Sequence, residues 1–200
     1  MKSTWLIGID EAGRGPIAGP VAVGVVVVKG ELPDDLKLTK DSKKLTPKAR
    51  AEWFNKIRLA SKNNLLQFAC VLVSAQVIDR SGIFFAIKKS LKSGLGKIIH
   101  EPKETLVLLD GGLKAPTNYP HQKTIIKGDE KESIIALASV VAKVTRDFYM
   151  TKMAEQYPNY GFAQHKGYGT KNHYLAIQKH GLSPIHRRSF LGSWLLFVYM

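Results

Sequence analysis

The chain predicts an α/β fold built on one mixed central sheet. Two observations carry that class. Three strand-like segments come in close succession near the amino terminus, and helical and strand-like segments then alternate to the end of the chain. The apolar run at 4–10 reads as the first strand, and Val21 to Val28, rich in β-branched residues, as a buried second strand reached through a loop at 11–20. Residues 30–44 are polar, carry Pro33 and read as loop. Thr46-Pro47 then opens a helix, with proline at its first position, that extends to about Ser61. Leu66 to Val73 is a third strand. Ser74 starts a helical stretch that Gly82 interrupts and that ends near Gly94. Thr105 to Leu109 and Thr124 to Lys127 are short strands ending in Asp110-Gly-Gly and Gly128-Asp129. Apolar residues at helical spacing (Ile134, Leu137, Ala138, Val141, Val144, Phe148) mark a long helix from about Ser133 to Gln156, and Thr170 to His180 is another. One domain over 1–200, with a helical carboxy-terminal segment from about 170, accounts for the length.

Composition narrows the class of function. Hydrophobic content of 44% and charged content of 23% belong to a globular chain rather than a disordered one. Lys and Arg number 30 against 16 Asp and Glu, a formal charge of +14, which favours a polyanionic partner such as nucleic acid. The single cysteine, Cys70, excludes an internal disulfide and a cysteine-based zinc site, and its apolar surroundings in the sequence make it a small buried hydrophobe. No signal peptide is visible, and no apolar run reaches the ~20 residues of a membrane span. A cytoplasmic protein without membrane attachment is the expectation.

Against that positive background stands an acidic constellation. Asp10 and Glu11, Asp110, and Asp129 each follow a strand, and in open α/β sheets ligands gather at the carboxyl ends of strands. Like charges brought together there repel unless cations neutralise them, and hard oxygen ligands select Mg²⁺ or Mn²⁺. Two such ions about 3.5–4 Å apart serve phosphodiester cleavage. In a regular strand Asp10 and Glu11 point to opposite faces, so sharing one site requires a bend that Gly13 and Gly15 permit. Asp129 also reads as a plain polar turn. Gly13 to Ala18 matches a dinucleotide fingerprint in letters, but Pro16, Gly19 and Pro20 deny it the helix that motif opens. Ser93 to Lys97 lacks Walker A spacing.

The same residues carry a resemblance. Gly8-Ile-Asp-Glu-Ala-Gly-Arg-Gly-Pro16 resembles the signature of type 2 ribonucleases H, and bacterial ribonuclease HII in particular. The likeness continues through Asp41-Ser-Lys-Lys-Leu45, Leu109-Asp-Gly111, Lys127-Gly-Asp129, Ala138 to Asp147, His165-Lys-Gly-Tyr-Gly-Thr170 and His186-Arg-Arg-Ser-Phe190, in order along nearly the whole chain. It implies an RNase H-like mixed five-stranded sheet flanked by helices. It also implies a metal-dependent endoribonuclease that cuts 5′ of a ribonucleotide, leaving 3′-hydroxyl and 5′-phosphate ends. The substrates would be an RNA–DNA hybrid or duplex DNA with a single embedded ribonucleotide.

By position the resemblance places metal ligation on Asp10, Glu11, Asp110 and Asp129, with Mg²⁺ or Mn²⁺ as cofactor. It places ribose recognition on Gly13, Arg14 and Gly15, and a sugar stack on Tyr168; the 2′-hydroxyl is what separates RNA from DNA. Phosphate contacts are expected from Lys43, with Ser42 weaker, from Lys143 and Arg146, which share a helix face, and from Arg187. The histidines show no zinc spacing. The apolar tail 191–200 is expected to pack as a final helix or strand, with a hydrophobic docking surface as the alternative, and the want of an extra amino-terminal module points away from type 3 enzymes. A monomer with no obligate protein partner is the expectation. A binding protein that lost its chemistry and a DNA nuclease on the same fold are the rival readings.

Overall fold

The computed structural model describes residues 4–37 and 45–192. Five strands, β1 (Trp5–Ala12), β2 (Val21–Lys29), β3 (Gln67–Val73), β4 (Thr105–Asp110) and β5 (His121–Ile125), form one mixed sheet in the order β3-β2-β1-β4-β5. β1 and β3 run antiparallel to β2, whereas β4 lies parallel to β1 and β5 parallel to β4. The expected mixed five-stranded sheet is therefore what the chain forms.

The helices follow the sequence signals closely. α1 (Pro47–Lys62) starts at Thr46, whose hydroxyl accepts from Ala49 N at 3.2 Å. Gly82, at φ +82°, separates α2 (Ala75–Ser81) from α3 (Ile83–Leu95). A four-residue turn, α4 (Gly128–Lys131), leads into the long α5 (Ser133–Gln156). A second short turn, α6 (Phe162–His165), precedes α7 (Lys171–His180), whose first turn is closed by Thr170 accepting from His173 N.

Two boundaries differ from expectation, and both bear on the site. β1 runs on through Glu11 and Ala12, because β2 supplies partners as far as Ala12↔Ala22. β5 begins at His121 rather than Thr124: it is an edge strand with largely exposed side chains, so its polar first half shows no apolar signal.

α3 covers one face of the sheet, over Ile7, Ile9 and the valines 21, 23, 25 and 27. α1 and α5 cover the other, over Val26, Val28 and Leu108. α5 lies directly on β1 and β2. A Cβ on Gly8 would overlap the Ile134 carbonyl, and one on Gly24 the Ala138 carbonyl. A third apolar cluster, around Met150, Phe162, Ile177 and Ile185, joins the far end of α5 to α7 and the segment after it. No helix of the described residues is long and apolar enough to cross a membrane.

Candidate active site

The pairing of β1 with β4 ends at Ile9↔Leu109, and one step beyond it Asp10 and Asp110 stand at the carboxyl ends of neighbouring parallel strands. There the sheet opens into a cavity of about 370 Å³ lined by Asp10, Glu11, Asp110, Gly13 to Gly15, Arg50, Ser139, Lys143 and Tyr168. Glu11 and Asp10 thus share one cavity although both lie within a regular strand. Beyond Ile9 no β4 residue is paired to β1.

Asp10 is only 2% exposed. Its Oδ1 accepts from Glu11 N at 2.7 Å, while buried Oδ2 has no hydrogen-bond partner among the described residues. Burial pushes its pKa well above the ordinary carboxylate value, and repulsion from Asp110 and Glu11 adds to the rise. The Ser139 hydroxyl and the Glu11 N–H offset part of it. Asp110 Oδ1 accepts from Gly128 N at 2.6 Å, which holds α4 against the end of β4. Asp129, 2% exposed, follows at once, so the turn tucks this carboxylate inside rather than leaving it in solvent. Asp129 does not line this cavity. Among the described residues no three His, Cys, Asp or Glu side chains close up into a ready-made metal nest. The donor set nevertheless fits a hard divalent cation: three carboxylates face one cavity, and the most buried has an oxygen to spare.

The loop after β1 is held from behind by two buried guanidinium groups. Arg187 donates from Nη2 to Gly13 O at 2.7 Å, from Nη1 to Arg14 O at 3.0 Å and from Nε to Gly19 O at 2.8 Å. Arg146 donates from Nε to Pro20 O and from Nη2 to Ala18 O. Gly13 takes φ +86° with its α-carbon against Arg146; a Cβ there would overlap Arg146 Nε and Cδ. Gly15 differs, because a Cβ there would meet nothing within 4 Å. Burial lowers the pKa of both arginines, that of Arg187 to about 9, with Arg146 repelling it.

This is a correction to the phosphate contacts expected of Arg146 and Arg187. Both are fully buried, and all the guanidinium nitrogens but Arg146 Nη1 donate to loop carbonyls. The shared helix face also splits: Lys143 lines the cavity, paired with Asp147 at 2.8 Å, while Arg146 turns inward beneath the loop. Arg14 reaches Glu11 at 3.5 Å and lies over the Phe84 ring, 5.0 Å from its centroid. Tyr168, 47% exposed, also lines the cavity. Ser42, Lys43 and the tail from 193 onward lie outside the described residues.

Sequence reasoning did not single out Arg50 or Ser139. Ser139 left a signal: it is the one hydroxyl in the apolar first half of α5 after Ser133, and it stands one turn before Lys143. Arg50 looked like any other charge on a surface helix. Cys70 is half-buried rather than buried as expected, packed at the margin of the core, where burial pushes its thiol up to about 11.

Comparison with known proteins agrees with this geometry. The family model described as Ribonuclease HII matches residues 7–192. A ribonuclease HII from Bacillus cereus (strain B4264) is 42% identical over 189 residues, which cover 94% of this chain and 69% of that protein. The crystal structure of ribonuclease H2 from Pyrococcus horikoshii OT3 superposes with a TM-score of 0.74 at 26% identity, covering 92% of this chain and 93% of that one. RNase HII from Archaeoglobus fulgidus, solved in a complex with PCNA, gives 0.73 at 25% identity and 94% of both chains.

Proposed function

Because the chain belongs to the ribonuclease HII family, and is a nuclease on that ground, we propose that it cuts the phosphodiester on the 5′ side of ribonucleotides. The substrates are RNA–DNA hybrids and single ribonucleotides embedded in duplex DNA, and the products carry 3′-hydroxyl and 5′-phosphate ends. The observation that carries the reading is the buried Asp10 carboxylate, with an unpartnered oxygen, sharing a cavity with Glu11 and Asp110 in a protein of charge +14.

Asp10, Glu11 and Asp110, with Asp129 behind Asp110, would hold Mg²⁺ or Mn²⁺. Such ions, when bound, supply an activated water and stabilise the departing 3′-oxygen. The chain's own residues do the positioning. The main chain from Gly13 to Gly15 is pre-set by the guanidinium groups behind it, and the open space beside Gly15 leaves room for a sugar edge bearing a 2′-hydroxyl. Tyr168 presents a ring across the cavity on which the next sugar can rest. Lys143 and Arg14 supply cationic groups at the rim, and Lys43 and Ser42 are assigned to phosphate contact on the family resemblance.

The test is cleavage of a labelled DNA duplex containing one ribonucleotide, with Mg²⁺ or Mn²⁺, beside an all-DNA duplex and a chelator control. A metal-dependent cut only 5′ of the ribonucleotide is expected. Binding without cutting would move the reading to a hybrid-binding protein, and equal cutting of all-DNA would remove the ribose-sensing roles.

A further inference from the structure

Three histidines that no role has yet absorbed lie together beside the site. The ring planes of His165 and His173 stack with centroids 4.2 Å apart, and His173 Nε2 meets His186 Nε2 at 3.0 Å. His173 and His186 are buried, and burial lowers both to about 4, so both are neutral at pH 7.

The shortest donors and acceptors around each ring assign the protons, although His186 Nδ1 also has Ser183 Oγ at 2.8 Å and Ser183 O at 3.3 Å. The Ser183 main-chain N–H donates to His186 Nδ1 at 2.8 Å, so that nitrogen is bare and His186 carries its proton on Nε2. His173 Nδ1 faces the Tyr168 carbonyl at 2.8 Å, which can only accept, so His173 carries its proton on Nδ1 and leaves Nε2 bare. The Nε2–Nε2 contact then holds a single proton, donated by His186. The result is a one-way chain from Ser183 N–H through His186 and His173 to the carbonyl of Tyr168. His165 supports the same turn: its Nε2 donates to Tyr160 O at 2.6 Å, and its Nδ1 accepts from Gly167 N.

The residue after His186 is Arg187, whose guanidinium grips Gly13, Arg14 and Gly19. Further main-chain bonds tie the two loops together: Arg187 N donates to Ile17 O, and Ile17 N and Ala18 N donate to Gly167 O. One dipeptide therefore reaches two segments that line the cavity, the Gly-Arg-Gly loop through Arg187 and the Tyr168 turn through His186 and His173.

We infer that His186 and His173 are positioning residues that set the distance between Tyr168 and the Gly13–Gly15 loop, and so determine how strongly the enzyme prefers a ribonucleotide followed by a deoxyribonucleotide over one followed by another ribonucleotide. The inference rests on the ribose-recognition roles proposed above for that loop and for Tyr168. A misplacement of the ring by about 1 Å lowers the preference for the mixed junction by roughly tenfold through KM, with kcat changed about twofold at most.

The experiment compares two near-isosteric changes in the full chain. His173→Asn keeps a donor at the place of Nδ1 but loses the acceptor for His186, so it keeps only part of the preference. His173→Gln puts its amide at the place of Nε2, loses the donor to Tyr168 and lowers the preference about tenfold. Equal effects, or a kcat loss with the preference intact, would overturn the inference in favour of a merely structural role. Tyr168→Ala run alongside separates the two levels. If it leaves the preference unchanged, the reading of Tyr168 fails; if it abolishes the preference while His173→Gln does not, only the histidine chain fails. Imidazole ¹⁵N spectra of the unaltered protein add a check that needs no variant to fold. His173 must appear as the Nδ1–H form and His186 as the Nε2–H form at pH 7, and any other pair of forms overturns the chain.

Discussion

The acidic end of the sheet and the loop cradle behind it meet at one cavity but treat buried charge in opposite ways. At the acidic end Asp10 is buried among carboxylates, keeps a spare oxygen and pushes toward protonation. In the cradle Arg146 and Arg187 are just as buried and of like sign, yet loop carbonyls take up five of their six guanidinium nitrogens, Arg146 Nη1 alone having no partner among the described residues. The first region leaves a buried carboxylate oxygen without a partner among the described residues. The second is met almost wholly by its own main chain, through all three nitrogens of Arg187 and two of Arg146, and serves to hold shape. A buried charge is thus a site where its partners are left to come from outside, and a strut where the fold supplies them.

Asp10→Asn breaks the comparison at its acidic side. Cleavage is expected to fall by at least about a thousandfold, since several kcal/mol of charge stabilisation in the transition state goes with the ion. The melting temperature should rise by a few degrees, because a desolvated charge facing two others is removed. Calorimetry beside single-turnover assays reads both, and a fall in stability would contradict the account of an uncompensated carboxylate.

Arg187→Met breaks it on the other side, with the signs reversed. The carbonyls of Gly13, Arg14 and Gly19 lose their donors at a cost of about 3 kcal/mol, roughly 10 °C in melting temperature. Arg187→Lys should recover little, since an ammonium lacks the planar fork that spans three acceptors. An unchanged melting temperature in both variants would show that the loop stands without its strut.

The smallest expected effect sharpens the comparison through pH. His173 and His186 have folded values of about 4 against an ordinary 6.5, so the unfolded chain binds more protons between those limits. Their share of stability is complete above about pH 6.5 and is lost progressively as pH falls toward 4. Asp10, raised instead, gains stability as pH falls over the same window and opposes that loss. The melting temperature of Asp10→Asn should therefore drop more steeply than that of the unaltered protein between pH 6.5 and 4. Parallel profiles would mean that Asp10 titrates as an ordinary carboxylate.

Most of the fold was legible because its signals are local. The valine run of β2, the proline at the start of α1, Gly82 between two helices and the periodic apolar face of α5 each need only a few neighbouring residues to be read. The polar edge strand β5 was misplaced because an exposed strand has no apolar pattern to show. The acids of β1 and β4 were legible as well, since a carboxylate ending an apolar strand is costly unless it has a purpose.

By itself the sequence determined the elements, the excess of positive charge and which carboxylates end strands, for these follow from residue type and spacing along the chain. Only the tertiary structure decided which cations face a ligand and which face the protein. Lys143 and Arg146 differ by three positions on one helix, yet one lines the cavity and the other is sealed beneath the Gly13 loop. His173 and His186 likewise meet only because α7 and the segment after it fold back together. The reason is physical: a side chain's charge is intrinsic to it, but whether that charge is spent on water, a ligand or a carbonyl depends on what long-range packing sets against it.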